Sequence, residues 1–115
     1  MDLVEQAIAS TLRDQSNPKI LDVNDYVLQT PGKRLRPALA IFSYRAFARD
    51  HNENLIRVAA AIELIHMASL LHDDVIDDAP TRHNQPSVFK KWNPGVAITT
   101  GVLYYSLALR LIADT

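Results

Sequence analysis

The sequence predicts an all-α fold. Apolar residues recur at helical spacing in almost every periodic stretch, and no run shows the alternating polarity of a half-buried strand. Glycine and proline are scarce, at 3 and 6 of 115 residues, and the apolar share is normal, which argues against disorder.

Taken in order, Asp2-x-x-Glu5 resembles a capping box that opens a first helix running to about Asp14. Asn17-Pro18 closes it. A short helical segment is expected near Asp22–Leu28, followed by a Thr30-Pro31-Gly32 loop. A helix then runs from about Lys33 to Arg49, with Pro37 tolerated in its first turn. The Asp50–Asn54 stretch is polar. From about Glu53 to Asp77 a long helix carries Glu63, His66 and His72 among its mostly apolar residues before Asp73. Few of its faces can meet water, so it is expected to be central. Ala79–Pro86 reads as a loop and Ser87–Trp92 as a short amphipathic piece. Pro94-Gly95 opens a last helix to about Ala113.

Composition narrows the function. Residues 1–115 make one domain or part of one. Lys and Arg number 12 against 13 Asp and Glu, which argues against a nucleic-acid binder. The absence of cysteine excludes disulfides, thiolate metal sites and cysteine nucleophiles. The opening Met1-Asp2-Leu3-Val4-Glu5 has no basic segment before an apolar one, so no secretory signal is expected. The longest uncharged run, Trp92–Leu109, contains Pro94 and two glycines and falls short of the ~20 apolar residues of a membrane span. A cytoplasmic, non-membrane-spanning protein is the expectation.

The strongest chemical signal is His72-Asp73-Asp74-Val75-Ile76-Asp77-Asp78. Asp73 and Asp77 are one helical turn apart and share a face. Carboxylates so placed repel unless a cation lies between them, and carboxylate oxygens with water suit Mg²⁺, which also takes oxygens from substrate phosphates. Ile62, His66, Ser69, Asp73 and Asp77 form one stripe along the helix. The spacing alone fits either a metal–phosphate site or a solvated acidic helix end, although acidic groups at a helix C-terminus oppose its dipole. Gly32-Lys33-Arg34-Leu35-Arg36-Pro37 places three cations at a helix start, where anions are already favoured. Arg82, His83, Lys90 and Lys91 form a second basic set. Cationic, acidic and cationic clusters between apolar helices suit a diphosphate headgroup on an apolar tail.

The order Gly32-Lys33-x-x-Arg36-Pro37, His66, Asp73-Asp74-x-x-Asp77, Arg82-x-x-x-Pro86 resembles the trans-polyprenyl (isoprenyl) diphosphate synthase family. The resemblance spans about Tyr26–Leu111 and covers only the front half of the family's pattern. It implies a partial isoprenoid-synthase helical bundle. It also implies condensation of isopentenyl diphosphate with an allylic diphosphate, releasing pyrophosphate. Asp73 and Asp77 would be the Mg²⁺ ligands, with Asp74 supporting them. Arg82 would clamp the allylic diphosphate, and Lys33, Arg36 and His66 would form the isopentenyl-diphosphate pocket. His83 stands where the family has a second arginine, which the resemblance implies either weakens one contact to isopentenyl diphosphate or makes it pH-dependent. Val102 replaces an acidic residue after Gly101. The family's second aspartate-rich motif and its accompanying lysines are absent.

In the family, the residues four and five positions before the first Asp floor the product cavity. Here they are Ser69 and Ala68, small enough to leave a channel open towards Ile65 and Ile62, so a product longer than farnesyl is expected. The alternative is that they only pack closely. His72 points about 100° away from Asp73 and reads as a core or supporting histidine. His51 reads as solvated, Glu63 as needing a buried hydrogen-bond partner, and Arg34 as structural or surface. Lys90 and Lys91 read as a solvated face, Trp92, Tyr104 and Tyr105 as packing aromatics, and Gly101 as a site of close helix packing. Half a helical barrel would expose too much apolar surface. A second subunit carrying the other aspartate-rich motif is therefore expected to complete it, giving a hetero-oligomer. The competing expectations are a non-catalytic regulatory subunit and an inactive fragment.

Overall fold

A computed structural model describes residues 2–29, 32–47 and 52–115, except the side chain at position 47. Among these residues the chain forms six helices and one minimal hairpin. The helices are α1 (Asp2–Arg13), α2 (Pro18–Gln29), α3 (Leu35–Phe47), α4 (Glu53–Ile76), α5 (Val88–Lys91) and α6 (Pro94–Ala113). The hairpin pairs β1 (Thr81–Arg82) with β2 (Gln85–Pro86), antiparallel, with Thr81 opposite Pro86 and Arg82 opposite Gln85. The expected turn at Thr30-Pro31, the third helix beyond Phe47 and His51 lie outside the described residues.

Local chemistry explains most boundaries. Asn17 accepts from the Lys19 N–H at 2.9 Å and Pro18 takes the first helical position. The pair that closes α1 therefore also opens α2, which is longer than the expected Asp22–Leu28 segment. Asn52 caps α4 and Asn93 caps α6 by accepting from the N–H groups of Asn54 and Val96. The expected capping box in α1 does not form: Asp2 is itself helical, and the Glu5 carboxylate is engaged by Arg34.

The C-terminus of α4 closes in a Schellman motif. The Asp78 N–H reaches the Val75 carbonyl and the Ala79 N–H reaches the Asp74 carbonyl at 3.3 and 2.9 Å, with Asp78 left-handed at φ 51°. The hairpin replaces the expected loop. His83 and Asn84 at its tip both have positive φ, 53° and 63°, as a two-residue type I′ turn requires, and both residue types tolerate that region better than most.

As expected, α4 is central. It packs most extensively on α6 and also on α3 and α1. Ala59, Ala60, Ala61, Leu64 and Ala68 on α4 are fully enclosed. His72 Nε2 meets the Ile98 carbonyl at 3.0 Å, and its ring lies against Gly101, where a Cβ would fall 2.2 Å from Nε2. Gly101 thus permits the close α4–α6 approach that its mid-helix position predicts. Buried Asn24 ties three helices: its amide donates to the Leu12 carbonyl at 2.8 Å and its carbonyl accepts from the Tyr104 hydroxyl at 2.8 Å. Burial pushes the Tyr104 phenol above its ordinary pKa, keeping it a neutral donor.

By length and composition α4 and α6 would each suffice to cross a membrane, more than the Trp92–Leu109 count allowed; here they pack against each other. The molecule measures 44 × 28 × 20 Å, so it is two helix diameters thick. Leu35, Leu39 and Phe42 on α3 and Val102 and Leu109 on α6 are more than half exposed.

Candidate active site: a cationic cleft beside an acidic helix end

A cleft of about 310 Å³ opens between α2, the start of α3, the middle of α4 and the hairpin. Lys33, Arg36, His66, Arg82 and His83 all line it, with Glu63 and Asp74 as its acidic members. Met67, Leu70 and Leu71 form an apolar wall. Five residues that the sequence assigned to diphosphate binding are thus brought together from three segments of chain.

Arg36, His66 and Arg82 are held by identifiable contacts. Arg36 Nη1 lies 3.1 Å from His66 Nε2. A guanidinium only donates, so Nε2 is the acceptor and the ring proton of neutral His66 sits on Nδ1. Burial first, then the charge of Arg36, with smaller contributions from Arg82 and Arg34, hold His66 below its usual pKa of 6.5; Glu63 opposes them. His66 is therefore neutral at pH 7. The Ser69 hydroxyl donates to the His66 carbonyl at 2.7 Å.

Arg82 makes a two-pronged contact with Asp74, Nε to Oδ2 at 3.1 Å and Nη2 to Oδ1 at 2.5 Å, a geometry that fixes the guanidinium plane. The Asp74 hydrogen bond is the main influence raising the pKa of Arg82, with Asp73 adding a smaller charge effect. Asp74 is buried, on the cleft side of α4. It anchors Arg82, whereas Asp73 and Asp77 are exposed and do not line the cleft. Asp77 has become the cap of α4, its N–H bonded to the Asp73 carbonyl at 2.8 Å.

The hairpin is pinned at its base. The Tyr26 hydroxyl donates to the Pro86 carbonyl at 2.5 Å, and buried Ser87 bonds the Ala79 and Pro80 carbonyls. Lys91 lies over the Tyr26 ring, 4.3 Å from its centre, and near the Trp92 ring at 5.5 Å. It covers an aromatic pair as well as facing water. Sequence reasoning missed Tyr26, whose only signal was its place seven residues before Lys33.

The expected product-length residues lie elsewhere. Ala68 is fully buried, Ser69 half-buried and Ile65 exposed, and none lines the cleft. Among the described residues no three His, Asp or Glu side chains converge as a metal site. Asp73 and Asp77, both exposed and one turn apart, are oxygen donors of the type a hard divalent ion takes. Glu63 finds the buried partner its position demanded: Arg34 Nη1 at 3.0 Å.

Comparison with known proteins points to one family. The polyprenyl synthetase family model matches residues 17–115. Heptaprenyl diphosphate synthase component 2 of Bacillus subtilis (strain 168) is 39% identical over 102 residues, covering 88% of this chain and 28% of that protein. The protein of the same name from Geobacillus stearothermophilus is 37% identical over 111 residues, covering 96% of this chain and 34% of the relative. Among solved structures, heptaprenyl diphosphate synthase from Staphylococcus aureus superimposes with a TM-score of 0.91 at 36% identity, covering 97% of this chain and 35% of that one. A polyprenyl synthase from Caulobacter crescentus, crystallised with calcium and isoprenyl diphosphate, gives 0.87 at 30% identity, covering 96% and 33%. The chain therefore spans about a third of the length of the relatives it matches.

Proposed function

This chain belongs to the polyprenyl synthetase family, and from that premise we propose that it supplies the diphosphate-binding front portion of a trans-polyprenyl diphosphate synthase. The substrates are isopentenyl diphosphate and an allylic prenyl diphosphate, joined head to tail with release of pyrophosphate. The observation that carries this reading is the convergence of Lys33, Arg36, His66, Arg82 and His83 on one cleft with an apolar wall. An anionic headgroup with a greasy tail matches both surfaces.

Lys33, Arg36 and His66 bind isopentenyl diphosphate. Arg82, set in plane by Asp74, holds the allylic diphosphate. Asp73 and Asp77 would hold Mg²⁺, and its chemistry there would be to supply positive charge to the departing diphosphate. Fixed cations around the cleft stabilise the same charge without reorganising as the C–O bond breaks. Met67, Leu70 and Leu71 keep water from the allylic cation. Small, half-buried Ser69, one turn before Asp73, leaves product growth unobstructed beyond the farnesyl length, whereas Ala68 is enclosed in the core. The heptaprenyl names of two relatives are consistent with that.

A second subunit covers the apolar faces that this portion of the fold leaves exposed. The exposed apolar residues on α3 and α6 of a molecule only 20 Å thick support this, as does the word "component" in the relatives' names.

The test is condensation of isopentenyl diphosphate with farnesyl diphosphate and Mg²⁺ by the native assembly, its mass recorded alongside. Asp73→Ala and Arg36→Ala should each lower turnover by about 100-fold or more. Full turnover in Asp73→Ala would overturn the catalytic reading and favour a regulatory subunit.

A further inference from the structure

Three features at the start of α3 do not follow from stability. The first is the backbone of Arg34, which is left-handed at φ 58°, a region a long unbranched side chain rarely adopts. The second is its place: the Arg34 carbonyl accepts the first helical N–H, from Ala38 at 3.2 Å, so arginine stands where Ser, Thr, Asp or Asn is favoured. The third is its side chain, which is 7% exposed although its neighbours Lys33 and Leu35 are exposed.

That side chain bridges two helices far apart in sequence. Nε donates to Glu5 of α1, and Nη1 donates to Glu63 of α4 at 3.0 Å. The network is incomplete as a packing device: Arg34 Nη2 and Glu63 Oε2 are buried without a partner among the described residues. Burying one cation between two carboxylates and leaving polar atoms unmatched is a poor route to stability. Such local violations concentrate where function needs a fixed geometry. Arg34 and Glu63 both line the cationic cleft.

We propose that Glu5 is a positioning residue for the diphosphate-binding loop: through Arg34 and Glu63 it fixes the Gly32–Arg36 segment so that Lys33 and Arg36 face the cleft. Arg34 is the pivot. Its fork is held from two sides, so the direction in which α3 leaves the loop is set, and with it the placement of Arg36 against His66. Lysine cannot serve here, because it has no planar fork to engage two carboxylates. Glu5 lies on α1, before the residues that match the family model, so this control comes from outside the matched region. The proposal rests on the reading of the cleft as a diphosphate site.

The test uses the native assembly with inorganic pyrophosphate as the probe. Affinity is followed by calorimetry, the titration of His66 by NMR, and folding by thermal melting. Glu5 is only partly buried, so Glu5→Gln keeps its shape and should leave the fold intact; Arg34→Lys is the second variant. Each should weaken pyrophosphate binding by on the order of tenfold, as loss of a supporting contact does at other anchored sites. Each should also move the His66 midpoint up towards 6.5 as Arg36 withdraws. Lower melting temperatures with unchanged affinity and unchanged His66 titration would overturn the proposal, leaving the network purely structural. Arg36→Gln separates the two claims. If it leaves pyrophosphate binding intact, the diphosphate reading fails, and the His66 midpoint in Glu5→Gln then decides positioning by itself.

Discussion

Asp73 and Asp74 are neighbours in sequence, yet they belong to different halves of the site. Asp74 is enclosed and engaged by Arg82 through two hydrogen bonds. Asp73, about 100° around the helix, is exposed, as is Asp77 a turn later. The same contrast runs through the whole site. On the cleft side three arginines are held by side-chain contacts: Arg34 by Glu5 and Glu63, Arg36 by neutral His66, Arg82 by Asp74. On the acidic rim the carboxylates face water. The anion-binding half is organised before any ligand arrives, whereas the half that would hold a cation stands open, ready for ions and phosphate oxygens to complete it.

The sharpest way to break this contrast is to strip the held side of a cation. Arg34→Met leaves Glu63, 2% exposed, without its partner and should cost about 3 kcal/mol, read from denaturant midpoints. Adding Glu63→Leu should recover most of that loss, because an apolar pair carries no desolvation cost. Arg82→Ala should cost less, about 2 kcal/mol, since water reaches part of the guanidinium and screens the pair; its loss of pyrophosphate affinity should be the larger signal in calorimetry.

Gly101→Ala tests the support behind both aspartates. A methyl group there collides with the His72 ring. Despite the better helix propensity of alanine, a net loss of about 1 kcal/mol is expected in thermal melts. On the open side, Asp73→Asn with Asp77→Asn should change stability by no more than about 0.5 kcal/mol, in the stabilising direction, because it removes like charges from a helix C-terminus. The same double variant should abolish Mg²⁺-dependent turnover.

The smallest effect is one of pH. His66 has a folded-state pKa below 6.5, so the unfolded chain binds its proton first. The His66 contribution is intact above pH 6.5 and declines as pH falls from there towards the folded value. His66→Gln should flatten that part of the stability profile.

Much of this was written in local pattern. The long apolar runs flanked by Asn52 and Asn93 gave α4 and α6 closely, and residue types in motif order gathered the cleft. What escaped the sequence was pairing at a distance. Glu5, Arg34 and Glu63 lie 29 residues apart in each direction, and each looks locally like an ordinary helix charge. Spacing shows that Asp74 turns away from Asp73, but not that it turns towards Arg82. Two-residue strands are too short for alternation to register, so the hairpin read as loop. His83-Asn84, two residues at ease with positive φ, was its one local trace.

Among the described residues, three of the four non-glycine residues with positive φ, Asp78, His83 and Asn84, fall within seven positions between the end of α4 and the hairpin tip. Side chains at these positions make each torsional well narrow, and narrow wells in series make a stiff arm. Arg82 rides on that arm. Glycine at positions 83 and 84 would relieve the local backbone cost yet widen the arc that the guanidinium sweeps, trading torsional stiffness over Asp74 for comfort in the turn.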